Sequence, residues 1–206
     1  MPVKRIVMAL AAAVFLAACS NDNGIDSTPD AVAAAAFRES GPKTLTVFTM
    51  INNRTGSGGH TALMVKGSQT VIFDPAGSFR HSKIVERGDV IYGVTPGLVR
   101  NFKSAHARSA FHVVSQEITV TDAQAEQALQ LVLSNGSVPG AFCANATTSI
   151  LARVDGFSGI QRTFYPKKFM QQFGQLPGVR TTRHFENDEG DIIDGVRAAE
   201  LAAQAQ

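Results

Sequence analysis

The folded part of this chain has one cysteine available to it, which limits how the fold can be stabilised. The sequence of 206 residues contains two cysteines, and Cys19 ends an apolar N-terminal segment that lies outside any domain. With only Cys143 left, an internal disulfide and a cysteine-rich zinc site are both excluded. The H-E-x-x-H motif is also absent, so we expect no metal and no cofactor. A hydrophobic core must hold the domain, and Cys143 is either a buried inert thiol or a reactive one.

Residues 1–18 have the three parts of a secretory signal peptide. Lys4 and Arg5 give a charged start, an apolar run too short to span a bilayer follows, and small residues precede Cys19. This arrangement resembles a bacterial lipoprotein signal, which implies that the Cys19 thiol is diacylated, for example with palmitate, and anchors the protein in a membrane. Ser20, rather than aspartate, follows the cysteine, which in enteric-type bacteria favours the periplasmic face of the outer membrane. The alternative is an ordinary signal peptide cut beside a cysteine.

The mature chain is close to electrically neutral. Loss of Lys4 and Arg5 with the leader lowers the number of Lys and Arg residues from 19 to 17, which equals the number of Asp and Glu residues. A nucleic-acid partner requires a basic face. We therefore expect no nucleic acid among the partners, and expect instead a membrane contact through the lipid on Cys19.

Composition divides the rest of the chain into three parts. Residues 19–42 are polar and then alanine-rich and are interpreted as a lipidated N-terminus and tether. Residues 43–185 are enough for one domain with one core, and residues 186–206 are interpreted as a peripheral tail.

Hydrophobic periodicity within the domain predicts an α+β fold with a small antiparallel sheet packed against helices. The predicted strands are 45–51, 60–65, 70–73, 89–92, 111–120 and 181–185. The predicted helices begin near residues 29, 96, 122, 143, 166 and 191. Thr121 and Gln124 have the spacing of a capping box before the third of these helices.

Cys143 is predicted to open a helix after the Pro139-Gly140 turn. A thiol is a useful nucleophile only as thiolate, and a helix N-terminus or a nearby imidazolium lowers its pKa. The unpaired N–H groups of the first helical turn face such a sulfur, and the same groups can stabilise an oxyanion on an acyl group.

Of the five histidines, His60 is the best partner for this thiol, because it begins a strand directly after a glycine-rich loop. His112 lies within an apolar strand and is interpreted as a satisfied, core or half-buried histidine. His106 lies late in a helix, where a cation is simply favourable. His81 and His184 lie in polar, arginine-containing stretches and are expected on the surface.

Asp74 is the candidate for the group that orients His60. If strands 60–65 and 69–74 form a hairpin around Gly67, a register in which paired residue numbers sum to 134 places Asp74 opposite His60. A register with a sum of 136 places Asp74 diagonal to His60 on the same face of the sheet. A register with a sum of 135 places the two side chains on opposite faces. The hypothesis therefore needs an even register. The competing interpretation is that D-P-A-G is an ordinary turn.

The order of these residues, with His on one strand, an acid on the next and Cys opening a later helix, resembles the circularly permuted papain-like thiol enzymes. These include bacterial relatives of the NlpC-type peptidases and the lecithin:retinol acyltransferase group. The likeness is greatest to a bacterial family with G-H and N-C-T-T motifs, some of whose members look like lipoprotein N-acyltransferases. It covers Leu45 to Val154, but this chain reads F-C-A-N-A-T-T, with Phe142 where asparagine commonly precedes the cysteine.

The resemblance implies a permuted papain-like domain in which Cys143 attacks a carbonyl, His60 moves the proton and Asp74 fixes the imidazole. We therefore predict an envelope lipoprotein with cysteine-dependent acyl transfer or hydrolysis on a cell-wall peptide or a lipid or lipoprotein acyl substrate. The alternative is a non-catalytic envelope lipoprotein that uses the fold as a binding module, with Cys143 packed in the core. A third hypothesis makes Cys143 a redox sensor that needs an external partner.

Overall fold

The computed structural model describes residues 26–77, 79–80 and 83–204, with side chains up to residue 198. The predicted signal peptide, the lipidation site Cys19 and His81 lie outside the described residues. Within that part of the chain, no helix is both long and apolar enough to cross a membrane.

Seven antiparallel strands form one sheet in the order β4-β5-β3-β2-β1-β6-β7. The strands are β1 (Thr44–Asn52), β2 (Gly58–Lys66), β3 (Thr70–Phe73), β4 (Glu86–Arg87), β5 (Val90–Ile91), β6 (Phe111–Thr119) and β7 (Arg180–His184). The predicted α+β class and antiparallel sheet are confirmed. The sheet is larger than the small one expected, because the two-residue strand β4 adds an edge that its sequence does not signal.

Six helices accompany the sheet among the described residues. They are α1 (Pro29–Ala35), α2 (Pro96–His106), α3 (Asp122–Leu133), α4 (Cys143–Leu151), α5 (Pro166–Gly174) and α6 (Ile192–Gln204). The capping box of Thr121 and Gln124 is confirmed, because each side chain bonds the backbone of the other residue. The prediction that Cys143 opens a helix is also confirmed.

Helices cover both faces of the sheet, which buries the interior strand β1 along almost its whole length. Val47 packs on one face with apolar side chains of α3, α4 and α5, and Phe48 packs on the other face with those of α2 and α6. Because neighbouring strand residues point to opposite faces, a doubly covered strand needs the near-continuous apolar run that β1 has.

The described part of the predicted tether lies against the domain. Val32 and Ala35 of α1 pack on the core, and the Thr70 amide donates to the Phe37 carbonyl at 2.8 Å. The limits of the tether and of the domain remain predictions.

The predicted tail also contacts the domain. Helix α6 packs on α2, where a Cβ at Gly195 would lie 2.7 Å from the Cα of Ala105. Before α6, Glu186 accepts a 2.9 Å hydrogen bond from Ser104. These contacts place the tail beside the end of α2, near the candidate site described next.

Candidate active site

The pairing of β2 with β3 brings His60 and Asp74 to one face of the sheet. The pairs run from Leu63 with Phe73 to Lys66 with Thr70, a sum of 136 throughout, around a three-residue turn. When this even register is extended by one residue beyond the last pair, Asp74 lies opposite Ala62 and therefore diagonal to His60. It is one of the two registers that the pairing of His60 with Asp74 required.

His60 and Asp74 form a short hydrogen bond. His60 Nε2 lies 2.6 Å from Asp74 Oδ1, and the Asp74 carboxyl is buried. Burial acts to raise the pKa of Asp74, but the opposite charge and hydrogen bond of His60 outweigh it, so the net pKa lies below its usual value. The carboxylate therefore stays ionised and accepts from the Nε2–H of His60.

Cys143 is the first residue of α4, and its sulfur lies beside the open edge of β2. No side chain caps this helix at Phe142, so the first-turn N–H groups remain available. Hydrogen bonds to the sulfur from His60 and from the backbone N–H groups of Thr61 and Ala144 act to lower the pKa of Cys143. Strand β3 pairs with β2 only from Leu63 onward, which leaves the Thr61 backbone open to the sulfur.

The thiol and the imidazole stabilise each other's charged forms. Burial acts to raise the pKa of Cys143, but the hydrogen bond and charge of His60 and two backbone N–H groups lower it overall. Burial acts to lower the pKa of His60, but Asp74 and the thiolate raise it to about 10. Each charged form thus stabilises the other, which favours a thiolate–imidazolium pair over the two neutral groups.

His106 lies late in a helix as predicted, but its environment differs from the one expected. It is only 3% exposed, and its ring lies nearly parallel to that of His60 with 6.0 Å between centroids. Its Nδ1–H donates to the Phe102 carbonyl at 2.7 Å, and burial lowers its pKa to about 4. The expectation of a helix-terminal cation is wrong, because the end of α2 is buried against the sheet and the imidazole is neutral.

Asp89 connects the two loops that carry the acid and the nucleophile. Its buried Oδ2 accepts from the N–H of Ala76, two residues after Asp74, at 2.9 Å, and from the N–H of Val138, before Cys143, at 2.8 Å. One carboxylate thus holds both loops in place. The sequence signals this residue only as part of a short predicted strand.

Backbone strain is concentrated around these loops. Among the described residues, the non-glycine positions with positive φ are Ala76 at 56°, Asp89 at 60° and Ala141 at 67°. Such conformations cost on the order of 1–3 kcal/mol each and persist where the surroundings hold them. Each lies at a turn next to Asp74 or Cys143, or at the Asp89 carboxylate that connects them.

The site adjoins an aromatic surface and a cavity. Phe142, next to the nucleophile, is 42% exposed and meets Phe164 edge to face at 5.2 Å, and Tyr165 beside it is 72% exposed. On the other side, a cavity of about 440 Å³ borders His60 and His106. Its apolar wall consists of Met50, Ala110, Phe111, Ile192 and Ile193.

The remaining sequence candidates lie away from the thiol. His112 is half-buried as expected, with Nδ1 2.7 Å from Asn53 Oδ1 and its ring stacked on Phe185. His184 is partly exposed and pairs with Glu186 at 2.8 Å. Asn145, the nearest equivalent of the missing asparagine before the cysteine, accepts instead from Arg162 at 3.3 Å.

Comparison with known proteins returned no matching family model, curated protein or solved structure.

We predict that Cys143 reacts with iodoacetamide at a pH below that of an ordinary thiol. The rate should rise with a midpoint under the usual value of about 8.5 and stay on a plateau until His60 loses its proton near pH 10. His60→Ala should raise the midpoint by about 1–3 pH units, because it removes the opposite charge. The measurement is the alkylation rate as a function of pH, read by mass spectrometry.

His112→Ala is the matched control, since it removes a histidine outside the site and should leave the profile unchanged. A midpoint at the ordinary thiol value in the native protein, unmoved by His60→Ala, would rule out the ion pair. Protection of Cys143 until the protein unfolds would make it a core residue.

Gly77→Ala should weaken the ion pair without changing any charged group. A Cβ at Gly77 would overlap the Asp74 carboxylate, although the backbone there is not in the left-handed region. Displacing the carboxylate should raise the alkylation midpoint of Cys143, by less than His60→Ala does. Gly159→Ala is the control, because nothing lies within 4 Å of its added Cβ. Equal profiles for both variants would show that the position of Asp74 does not influence the thiol.

Proposed function

We propose that this protein is a permuted papain-like thiol enzyme of the bacterial envelope that hydrolyses or transfers an acyl group. The observation that carries the proposal is the hydrogen-bonded series from Cys143 through His60 to Asp74, with the sulfur at a helix N-terminus. A structural cysteine needs neither an imidazolium nor a carboxylate behind it.

In the first half of the reaction, the Cys143 thiolate attacks the substrate carbonyl and forms a tetrahedral intermediate. Since Nε2 of His60 faces Asp74, the ring nitrogen that faces the sulfur is Nδ1. Its proton passes to the leaving amine or alcohol, and a thioester remains on Cys143. The N–H groups at the start of α4 are suitably placed to stabilise the oxyanion.

In the second half, neutral His60 takes a proton from the acceptor as the acceptor attacks the thioester. Water as acceptor gives hydrolysis, and an amine or lipid hydroxyl gives transfer. The acyl–sulfur bond breaks, the thiolate is restored, and Asp74 again holds the imidazolium. Asp74 thus orients and stabilises His60 without itself reacting.

The surroundings of the thiol favour a lipid or lipoprotein acyl group over a cell-wall peptide. Phe142, Phe164 and Tyr165 expose aromatic surface directly beside Cys143, where an acyl chain would gain about 0.8 kcal/mol per buried methylene. Aromatic side chains with a polar end also suit a membrane interface. A lipid on Cys19 would keep this surface close to such substrates.

The non-catalytic alternative rests on the low exposure of Cys143, at 6%. A binding module could use the same aromatic surface and keep the thiol as part of the core. The short His60–Asp74 bond favours the enzyme, because a buried charged pair behind an inert thiol would be costly to maintain without a function.

Acyl hydrolysis can be tested with p-nitrophenyl acetate and p-nitrophenyl octanoate as probes. We expect turnover of both, faster for octanoate, and a loss of at least about 1,000-fold in Cys143→Ser with the fold retained. Asp74→Asn should lose less than Cys143→Ser. The measurement is nitrophenolate release by the mature protein, with far-ultraviolet circular dichroism as the check on folding.

Phe164→Ser should slow octanoate more than acetate, whereas His112→Ala should change neither. Turnover that survives in Cys143→Ser would exclude the thiol mechanism. Octanoate and acetate rates that fall equally in Phe164→Ser would argue against an acyl-chain role for the aromatic surface.

The lipid anchor gives a separate prediction for the full chain. Cys19→Ala should move the protein from the outer-membrane fraction of a Gram-negative host to a soluble or unprocessed form, since no acyl chain can be attached. Cys143→Ser is the control and should stay in the membrane fraction. Membrane association that is unchanged by Cys19→Ala would show that a lipid on Cys19 is not the anchor.

A further inference from the structure

Three side chains behind the nucleophile form a compact group of metal-binding type. A ring nitrogen of His60, a carboxylate oxygen of Asp74 and a ring nitrogen of His106 all lie within 4.8 Å of one another. His60 lies in β2, Asp74 in the turn after β3 and His106 at the end of α2, so no spacing motif in the sequence predicts the group. Two imidazoles and a carboxylate are a common ligand set for zinc.

The orientation of His106 is the strongest evidence for a metal site, because it is that of a metal-ligating histidine. Its Nδ1–H donates to the Phe102 carbonyl, which leaves Nε2 as the nitrogen with a free lone pair. This Nε2 is fully buried and has no hydrogen-bond partner among the residues that the structure describes. Zinc-binding histidines usually donate their other N–H to a backbone carbonyl or a carboxylate in this way. A polar atom left unpaired in the interior is otherwise costly.

The separations of the three atoms are compatible with one ion. Ligands at 2.0–2.1 Å from zinc in a tetrahedron lie about 3.3 Å from each other. The 2.6 Å contact of His60 with Asp74 is shorter than this, and no separation in the cluster exceeds 4.8 Å. Side-chain shifts of about 1 Å would therefore suffice. The cavity beside His60 and His106 leaves room for a water molecule at the fourth position.

We propose that His60, Asp74 and His106 form a binding site for a zinc-class divalent cation, distinct from the thiol. On binding, the Nε2–H proton of His60 leaves to solvent, the metal–nitrogen bond replaces it, and Asp74 changes from hydrogen-bond acceptor to ligand. Nothing is oxidised or reduced. The Nδ1–H of His60 remains and continues to donate to Cys143.

The ion would hold the enzyme in an inhibited state, a consequence that rests on the proposed function. With metal on Nε2, release of the Nδ1 proton to a leaving group would create an imidazolate, so His60 can no longer complete the proton cycle. The thiolate itself keeps its hydrogen bond and stays reactive toward an alkylating agent. A metal bound through Cys143 would have the opposite effect and protect the sulfur.

The test uses the untagged mature protein with Co²⁺ as a spectroscopic probe and Zn²⁺ as competitor. We expect one ion per chain, no sulfur-to-cobalt charge-transfer band, and continued alkylation of Cys143 by iodoacetamide in the loaded protein. His106→Gln should weaken Co²⁺ binding by at least about 100-fold, as loss of a ligand costs no less than loss of a supporting residue. Cys143→Ser and the control His112→Gln should bind as the native protein does.

A charge-transfer band, protection of Cys143, or binding unaffected by His106→Gln would each overturn the site. If His106→Gln fails to fold by circular dichroism, Asp74→Asn serves instead, because its amide keeps the shape and weakens the ligand. Since ion binding needs no substrate, ion binding together with no acyl turnover by the metal-free protein would support this site and count against the proposed function. Turnover without ion binding would do the reverse.

Discussion

The candidate site depends on the hydrogen bond between His60 and Asp74, and that bond depends on the register of a single hairpin. The three-residue turn between β2 and β3 keeps both side chains on one face, where a one-residue slip would separate them. Their 2.6 Å contact favours the charged imidazole in a partly buried position, and the charged imidazole in turn favours the thiolate of Cys143. Without it, burial alone would drive the thiol and the imidazole to their neutral forms.

The site forms where the sheet is incomplete. Strand β3 stops at Phe73, so the Thr61 amide of β2 is left open to the sulfur at the start of α4. Helix α4 packs on one face of the sheet, while His60 lies on the other, and the free edge is where the two can meet. The buried carboxylate of Asp89 stabilises this edge, because it accepts hydrogen bonds from the loop after Asp74 and from the loop before Cys143.

Two neighbouring histidines show how strongly environment determines charge. The rings of His60 and His106 lie 6.0 Å apart, yet the pKa of the first is raised to about 10 and that of the second is lowered to about 4. His60 has a carboxylate bonded to one nitrogen and a thiolate to the other, whereas burial dominates at His106 and its bonded partner is a neutral carbonyl. The charged ring suits proton transfer, and the neutral one suits a ligand.

The amino-acid sequence was enough to predict the local features: most strands, the capping box at Thr121, the helix that Cys143 opens, and His60 and Asp74 as partners if the hairpin register is even. Each follows from residues close together in the chain, where periodicity and turn chemistry act. The register itself, the burial of His106 beside the pair and the position of Asp89 between the loops arise from tertiary packing. Those outcomes depend on which faces and ends of distant elements meet, and packing of the whole core, not any short segment, fixes that.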